Sequence, residues 1–119
     1  MSLRSYRDLE VWRIAFRLAL EAHRIATRLP THELYGLASQ IRRAATSIPA
    51  NIAEGYGRAH RGDYLRHLSF ASGSLKELET HILLARALGY LTREETSEIL
   101  AYCSSVGRML TNLRRALLS

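Results

Sequence analysis

Apolar residues recur every three or four positions through nearly the whole chain of 119 residues. This spacing places them along one face of an α-helix, which completes a turn in about 3.6 residues. A β-strand would instead alternate polar and apolar residues, and no stretch of the sequence keeps a period of two for long. The pattern therefore predicts an all-α fold.

Local start and stop signals divide the pattern into four helices. Ser5 and Asp8 form a candidate capping box before helix 1, and Pro30 ends that helix. Thr31 is the candidate N-cap of helix 2, which ends near Gly55. The break between helices 1 and 2 is therefore predicted to be very short.

Helices 3 and 4 have clearer end signals. Helix 3 begins near Gly62 and ends at Gly89, a natural C-cap. Helix 4 opens with a second capping box, formed by Thr92 and Glu95.

One apolar seam on each helix is expected to face the core. The seam of helix 1 is Leu9, Trp12, Phe16, Ala19, His23 and Ala26. The seam of helix 2 is Leu34, Leu37, Ile41, Ala44, Ile48, Ile52 and Gly55. The seam of helix 3 is Tyr64, Leu68, Ala71, Leu75, Leu78, Ile82 and Ala85. The seam of helix 4 is Ile99, Tyr102, Val106, Leu110, Leu113 and Leu117.

The lengths of the helices and their connections predict the topology. Helices of roughly 25 residues joined by about two to four residues pack as antiparallel neighbours. The predicted architecture is an antiparallel up-down-up-down four-helix bundle, forming one domain over residues 1–119.

Pro49 interrupts helix 2, and two interpretations fit it. The helix continues with a kink, or it restarts with Ser47 as an N-cap and Pro49 in a new first turn. The apolar seam keeps its phase from Ile41 through Ile48 to Ile52, which favours one helix kinked at Pro49.

Helix 2 also carries an arc of small or apolar residues beside its core face. The arc comprises Tyr35, Ala38, Ala45, Pro49, Ala53 and Tyr56. Such a surface suits contact with a second subunit, since exposed apolar patches usually mark interfaces. The alternative is that helix 2 is simply the most buried helix of a monomer.

A polar stripe runs beside this arc. It comprises Gln40, Arg43, Ser47, Asn51, Glu54 and Arg58. The stripe fits an interface network or a solvated face equally well. The candidate oligomer-interface residues are Arg43, Ser47, Pro49, Asn51, Ala53, Glu54, Tyr56 and Arg58.

The chain is basic, with a formal net charge of +6, and Lys76 is its only lysine. Most of the arginines lie in residues 1–66. Arginine suits phosphate partners, although solvated arginines also simply cover apolar surface with their stems. The candidate nucleic-acid-binding residues are Arg13, Arg17, Arg24, Arg42, Arg61 and Arg66.

Other chemistry is not indicated. The five histidines have no metal-ligand spacing, and no phosphate loop or nucleophile motif is present. Cys103 is predicted to be a small core residue. We therefore expect no enzyme activity, metal or cofactor, and a cytoplasmic protein without a membrane span.

Three segments resemble a known family. They are "DLEVW", "LPTHELYGLASQIRRAATSIPANIAEGYGR" and "GDYLRHLSFASGSLKELETHILLARALGYL". They are similar to the four-helix-bundle proteins encoded in intervening sequences of bacterial large-subunit rRNA genes. The resemblance implies a ring-like homopentamer. A related branch serves diversity-generating retroelements, where a basic pentamer works with a reverse transcriptase and RNA.

These observations lead to two functional hypotheses. The first is a non-enzymatic homo-oligomeric scaffold, a pentamer by resemblance, that binds RNA or DNA through arginine-rich surfaces. The second is a protein–protein interaction module without direct nucleic-acid binding. A reverse transcriptase is a candidate partner if the chain belongs to the retroelement branch.

Overall fold

The computed structural model describes residues 3–119, and this part of the chain contains four α-helices and no strand. The helices are α1 Glu10–Ala26, α2 Leu37–Tyr56, α3 Arg61–Ala87 and α4 Arg93–Leu118. Two short 3-10 helices, Tyr6–Asp8 and Thr31–Glu33, precede α1 and α2. The prediction of an all-α fold is confirmed.

The four helices surround one hydrophobic core. Each helix packs against its neighbours in the chain, and α1 also packs against α4. Across residues 3–119, no Cα atoms of the diagonal pairs, α1 with α3 and α2 with α4, lie within 8 Å of each other. The most extensive contact is between α2 and α3. None of the helices in this range is both long and apolar enough to cross a membrane.

The prediction for the core face of α1 is wrong, because the buried face is shifted by one position along the sequence from the predicted seam. The buried face consists of Val11, Ala15, Leu18, Ala22, Ile25 and Ala26. On the predicted seam, Phe16 is 46% exposed and His23 is also exposed. α1 carries two neighbouring apolar stripes, and the stripe containing Ala15 and Ala22 allows its backbone to approach the core more closely.

The predicted seams of the other helices agree better with the structure. From Leu37 onward the whole predicted core face of α2 is buried, whereas Leu34 lies before the helix and is exposed. On α3 the seam is buried from Leu68 to Ala85, and His67 is buried as well. On α4 the seam is buried except at its partly exposed members Tyr102, Leu113 and Leu117.

The connection between α1 and α2 is longer than predicted, covering residues 27–36. Thr31 is not an N-cap, because it lies inside a 3-10 helix. Instead, Glu33 Oε1 accepts a hydrogen bond from the Leu37 backbone N–H at 2.9 Å. The capping box of Ser5 and Asp8 exists, but it caps the first 3-10 helix and not α1.

The turn from α3 to α4 follows the predicted local chemistry. Gly89 has a φ of 83°, which is strained for any other residue. Its N–H donates to the Arg86 carbonyl, and the Tyr90 N–H donates to the Ala85 carbonyl, as in a Schellman motif. The capping box of Thr92 and Glu95 is confirmed, with backbone-to-side-chain bonds of 2.8 and 3.0 Å.

Pro49 lies inside one continuous helix, so the alternative of a restart at Ser47 is wrong. Proline has no N–H to donate to the carbonyl four residues earlier. Hydrogen bonds from side chains lie on either side of this gap: Thr46 donates to the Arg42 carbonyl and Asn51 to the Ser47 carbonyl.

α2 and α3 approach each other closely at Gly55. A Cβ added there would lie 2.9 Å from His67 Cβ and 3.0 Å from Tyr64 Cδ1. These distances are too short for carbon atoms, and both neighbours belong to α3. A side chain at position 55 would therefore push the two helices apart.

We predict that Gly55→Ala destabilises the fold by about 1–3 kcal/mol, because overpacking outweighs the higher helix propensity of alanine. Urea denaturation followed by circular dichroism measures the effect. Gly73→Ala is the matched control, since nothing lies within 4 Å of a Cβ there, and it should stabilise by about 0.5–1 kcal/mol. Equal effects of both substitutions would contradict the close approach at Gly55.

The lowered pKa values of two glutamates predict how the stability of the fold depends on pH. The Leu37 backbone N–H and the Tyr90 hydroxyl lower the pKa of Glu33 from its ordinary value of 4.5. The Thr92 backbone N–H, the Thr92 hydroxyl and Arg28 lower the pKa of Glu95. A lowered pKa in the folded state stabilises the protein above the unfolded value, and this stabilisation is lost as pH falls through the folded value.

The unfolding midpoint should therefore fall as the pH drops below about 4.5. In a variant with Glu33→Gln and Glu95→Gln, the midpoint should depend less on pH over this range. Thermal melts of both proteins from neutral to acidic pH measure the difference. Identical pH profiles would show that these two carboxylates do not contribute.

Candidate functional site

A set of hydrogen bonds and close polar contacts, here called the polar seam, joins α2 to α3. It comprises Ser47, Asn51 and Glu54 of α2 with His67 and Ser74 of α3. The Ser74 hydroxyl donates to Ser47 Oγ at 2.8 Å. Asn51 Nδ2 donates to the same Ser47 Oγ at 2.9 Å. The seam thus runs across the most extensive helix contact in the structure.

His67 is the buried member of the polar seam, with only 7% of its surface exposed. Its Nδ1 lies 3.1 Å from Asn51 Oδ1, so the ring donates this bond when the proton is on Nδ1. Glu54 Oε2 lies 4.0 Å from the same nitrogen. The other ring nitrogen, Nε2, is enclosed and has no hydrogen-bond partner within residues 3–119.

The structure gathers only part of the predicted polar stripe into this seam. The members in the seam are Ser47, Asn51 and Glu54. Arg58 lies beside the seam, with its Nη2 3.8 Å from Glu54 Oε1. Arg43 is exposed and lines a neighbouring groove. The contacts described here lie within one chain, and whether a second subunit also meets this stripe stays a prediction.

Sequence reasoning missed the two members on α3. His67 and Ser74 are seven residues apart, which places them on one helix face beside the apolar seam. A polar residue next to each of the core positions Leu68 and Leu75 was the available signal. The partner helix could not be assigned from that spacing alone.

The interpretation of the small-residue arc of α2 as an exposed surface is wrong for half of its members. Ala38, Ala45 and Pro49 are buried within the single chain. They lie away from α3, and the other elements in contact with α2 are α1 and the two 3-10 helices. Pro49 is therefore not an accessible interface residue of the monomer.

The remaining members of the arc differ in their surroundings. Ala53 and Tyr56 are partly buried, and Tyr56 packs edge-on against Tyr64 with ring centroids 6.2 Å apart. Tyr35 is 92% exposed. Tyr35, at the start of the arc, is therefore its most accessible member for a second molecule.

Exposed apolar side chains lie on α1 as well as on α3. Phe16 and Leu20 are about half exposed. Phe16 stacks on Trp12, which in turn meets Tyr6 edge-on. Arg13, Arg17 and Arg24 are exposed on the same helix, so its outer face combines apolar and cationic side chains.

The six candidate nucleic-acid-binding arginines differ in how much of their charge is free. Arg13 lies 3.6 Å from Asp8, Arg24 pairs with Glu21, and Arg66 lies 3.3 Å from Asp63. Arg42 and Arg61 donate to the carbonyls of Leu34 and Leu117. Arg17 has no ion pair or side-chain hydrogen bond within residues 3–119.

These arginines do not form one cluster. Arg42 lies in the second turn of α2, whereas Arg61 begins α3 beyond the far end of α2. The intervening helix separates them by about 20 Å, at 1.5 Å per residue. A ligand touching both ends would have to run along the bundle.

Groups that could carry other chemistry are few in the described part of the chain. Within residues 3–119, no set of three or more His, Cys, Asp or Glu side chains is arranged to hold a metal ion. Cys103 is buried, and burial raises the pKa of its thiol to about 12. Its predicted role as a core residue is confirmed, because such a thiol stays protonated.

Comparison with known proteins gives a family match and a structural match that agree. The sequence model of the 23S rRNA-intervening sequence protein family matches residues 7–112. A crystal structure of a protein of unknown function from the S23 ribosomal protein family of Bacteroides thetaiotaomicron is similar, with a TM-score of 0.82 and 25% identity. That similarity covers 87% of this chain and 97% of the other. Among curated proteins, none matches.

We predict that Asn51→Ala destabilises the protein by about 1–3 kcal/mol, because it removes the hydrogen-bond partner of Nδ1 on the buried His67 and two bonds to Ser47. Urea denaturation measures the loss. Gln40→Ala, on the exposed part of the same stripe, should change stability by less than about 0.5 kcal/mol.

A double-mutant cycle with His67→Ala isolates the contact between the two side chains. The double variant should lose less than the sum of the single losses, by about 0.5 kcal/mol or more. Strictly additive losses would show that Asn51 and His67 are not coupled.

Proposed function

The chain belongs to the 23S rRNA-intervening sequence protein family, and on that premise we propose that it is a non-enzymatic scaffold that assembles with copies of itself and binds nucleic acid. RNA is the proposed ligand in the first place. The observation that carries this proposal is the outer face of α1. It presents Arg13, Arg17 and Arg24 next to the exposed side chains of Phe16 and Leu20.

We infer an antiparallel up-down-up-down order for the helices. Along the α2–α3 contact, Ser47 meets Ser74 and Asn51 meets His67, so residue numbers fall on one helix as they rise on the other. The end of α1 meets the start of α4 through Arg28 and Glu95 at 3.1 Å. Within this bundle we propose that α2 bends at Pro49.

Self-association is supported by the apolar side chains that remain exposed in one chain. They include Phe16, Leu20, Phe70, Leu83, Leu84 and Leu88. Apolar surface of this kind is covered by a partner in many oligomers. A ring of five is the stoichiometry implied by the resemblance to the intervening-sequence and retroelement proteins.

Binding of nucleic acid is supported by the net charge of +6 and by its arginine composition. Guanidinium groups bind phosphate oxygens through two parallel hydrogen bonds. In an oligomer, each basic surface is repeated, so weak contacts add along one polyanion. A reverse transcriptase is a further proposed partner for the case of a retroelement protein.

One observation favours the second candidate, a protein-interaction module. Arg13, Arg24 and Arg66 already lie beside carboxylates of the same chain. Their charge is partly neutralised, which reduces their attraction for a polyanion. In that case the exposed apolar residues of α1 would meet another protein.

A triple charge reversal, Arg13→Glu, Arg17→Glu and Arg24→Glu, tests the α1 surface. We expect the affinity for a structured RNA to fall at least tenfold at low salt. The slope of log K against log salt concentration should shrink by up to about 3 units, since each phosphate contact contributes about 0.9. Fluorescence anisotropy across a salt series measures both quantities.

The matched control replaces the same three arginines with lysine, which keeps the charge and should preserve most of the binding. Light scattering after size exclusion reports the assembly of every variant, and we expect the reversal to leave the oligomer intact. Unchanged RNA binding after reversal would remove α1 from the site. A monomer at micromolar concentration would refute the assembly.

A further inference from the structure

A groove of about 670 Å³ runs between α3 and α4, on a part of the surface that none of the candidate residues occupies. Its apolar lining includes Leu75, the buried Cys103 and Gly107. Gly107 has no side chain to fill the space, and the nearest atom to an added Cβ is Leu75 Cδ2 at 3.5 Å. The groove therefore lies where the missing side chain of Gly107 leaves space between side chains of the two helices.

The lining of the groove is strongly cationic. Lys76, Arg108, Arg114 and Arg115 line it, against the single carboxylate of Glu79. Glu79 is engaged by Lys76 at 3.1 Å. Within residues 3–119, no ion pair joins any of the three groove arginines to a carboxylate.

This contrasts with the arginines of α1 and α3. Three of the six candidates identified from the sequence lie beside carboxylates, whereas among residues 3–119 the groove arginines form no ion pair. Opposite charges within about 4 Å largely cancel each other's attraction for a third charge. Three arginines without an ion pair within residues 3–119 thus share one groove, whereas Arg17, which also has none, lies apart from them on α1.

The guanidinium group of Arg114 is partly enclosed by the protein. Its side chain is partly buried, and its Nε is enclosed without a hydrogen-bond partner within residues 3–119. Burying part of a guanidinium without such a partner costs free energy. An anion bound at the terminal nitrogens would offset that cost.

The remaining polar lining suits phosphate oxygens. Ser104 and Thr111 supply hydroxyl groups, and Asn112 supplies an amide. No aromatic side chain is among the residues that line the groove. Contacts to a phosphate backbone are thus available, while stacking on bases is not.

We propose that the groove between α3 and α4 is the principal phosphate-binding site of this chain and that it recognises polyanions independently of base sequence. Nucleic-acid backbones and inorganic polyphosphate share this chemistry. The choice of nucleic acid as the natural source rests on the proposed function, whereas the phosphate site itself does not. The arginines of α1 are then secondary contacts.

Two kinds of variant test the groove. Arg108→Gln with Arg115→Gln removes two exposed cations, and Gly107→Leu fills the space without changing the charge. Gly107→Ala is the matched control for the filling, because a methyl group at 3.5 Å makes only an ordinary contact. Circular dichroism melts identify any variant that fails to fold.

The probes are a fluorescein-labelled single-stranded oligonucleotide and inorganic polyphosphate used as its competitor. We expect the double glutamine variant and Gly107→Leu each to lose at least tenfold in affinity for the oligonucleotide at low salt, while Gly107→Ala binds like the unmodified protein. Arg13→Gln, Arg17→Gln and Arg24→Gln together should lose less. Polyphosphate should displace the oligonucleotide.

The outcomes separate the two proposals. Oligonucleotide binding that survives both groove changes but falls with the α1 changes overturns the groove and supports the proposed function. Direct binding of polyphosphate that depends on the groove, with no oligonucleotide binding, supports the groove and overturns the proposed function. Wild-type affinity of all groove variants for both probes overturns the phosphate site.

Discussion

The close approach of α2 and α3 at Gly55 is the constraint on which the rest of the structure depends. Because no side chain intervenes there, the two helices come near enough for Ser47 to bond Ser74 and for Asn51 to bond His67. The same approach encloses the ring of His67 and aligns Ile48 and Ile52 with the core. The polar seam fixes the register of this pair, since a shift by one residue would leave buried polar groups without partners.

Packing differs between the helix pairs, and this difference determines where a groove for a ligand is present. The α2–α3 pair is held by the polar seam and by an extensive apolar contact. The α3–α4 pair lacks a side chain at Gly107, and cationic side chains line the groove there. A tight pair can give a rigid framework, and a more open pair next to it can present charge to a ligand. The α2–α3 pair therefore contributes to stability, and the α3–α4 groove is the proposed binding site.

The candidate sites show which properties of the charge distribution can be predicted from the sequence. Counting residues identifies the first half of the chain as the basic half, and that count is correct. It does not show that Arg13, Arg24 and Arg66 have carboxylate neighbours, while in the described part of the chain Arg108, Arg114 and Arg115 form no ion pair. Net charge along a sequence is additive, whereas the potential felt by a ligand depends on distances in the folded chain.

Local sequence patterns predicted the all-α class and the four helices. They also predicted the apolar core face of α3, the glycine turn at Gly89 and the capping box at Thr92. Each depends on residues within about one turn of one another, so the sequence contains the whole interaction. Only the tertiary structure decided which stripe of α1 faces inward, that the arc around Ala45 is covered, and that His67 joins the polar seam. These outcomes depend on how closely residues far apart in the chain can pack, and helix periodicity carries no information about the neighbouring helix.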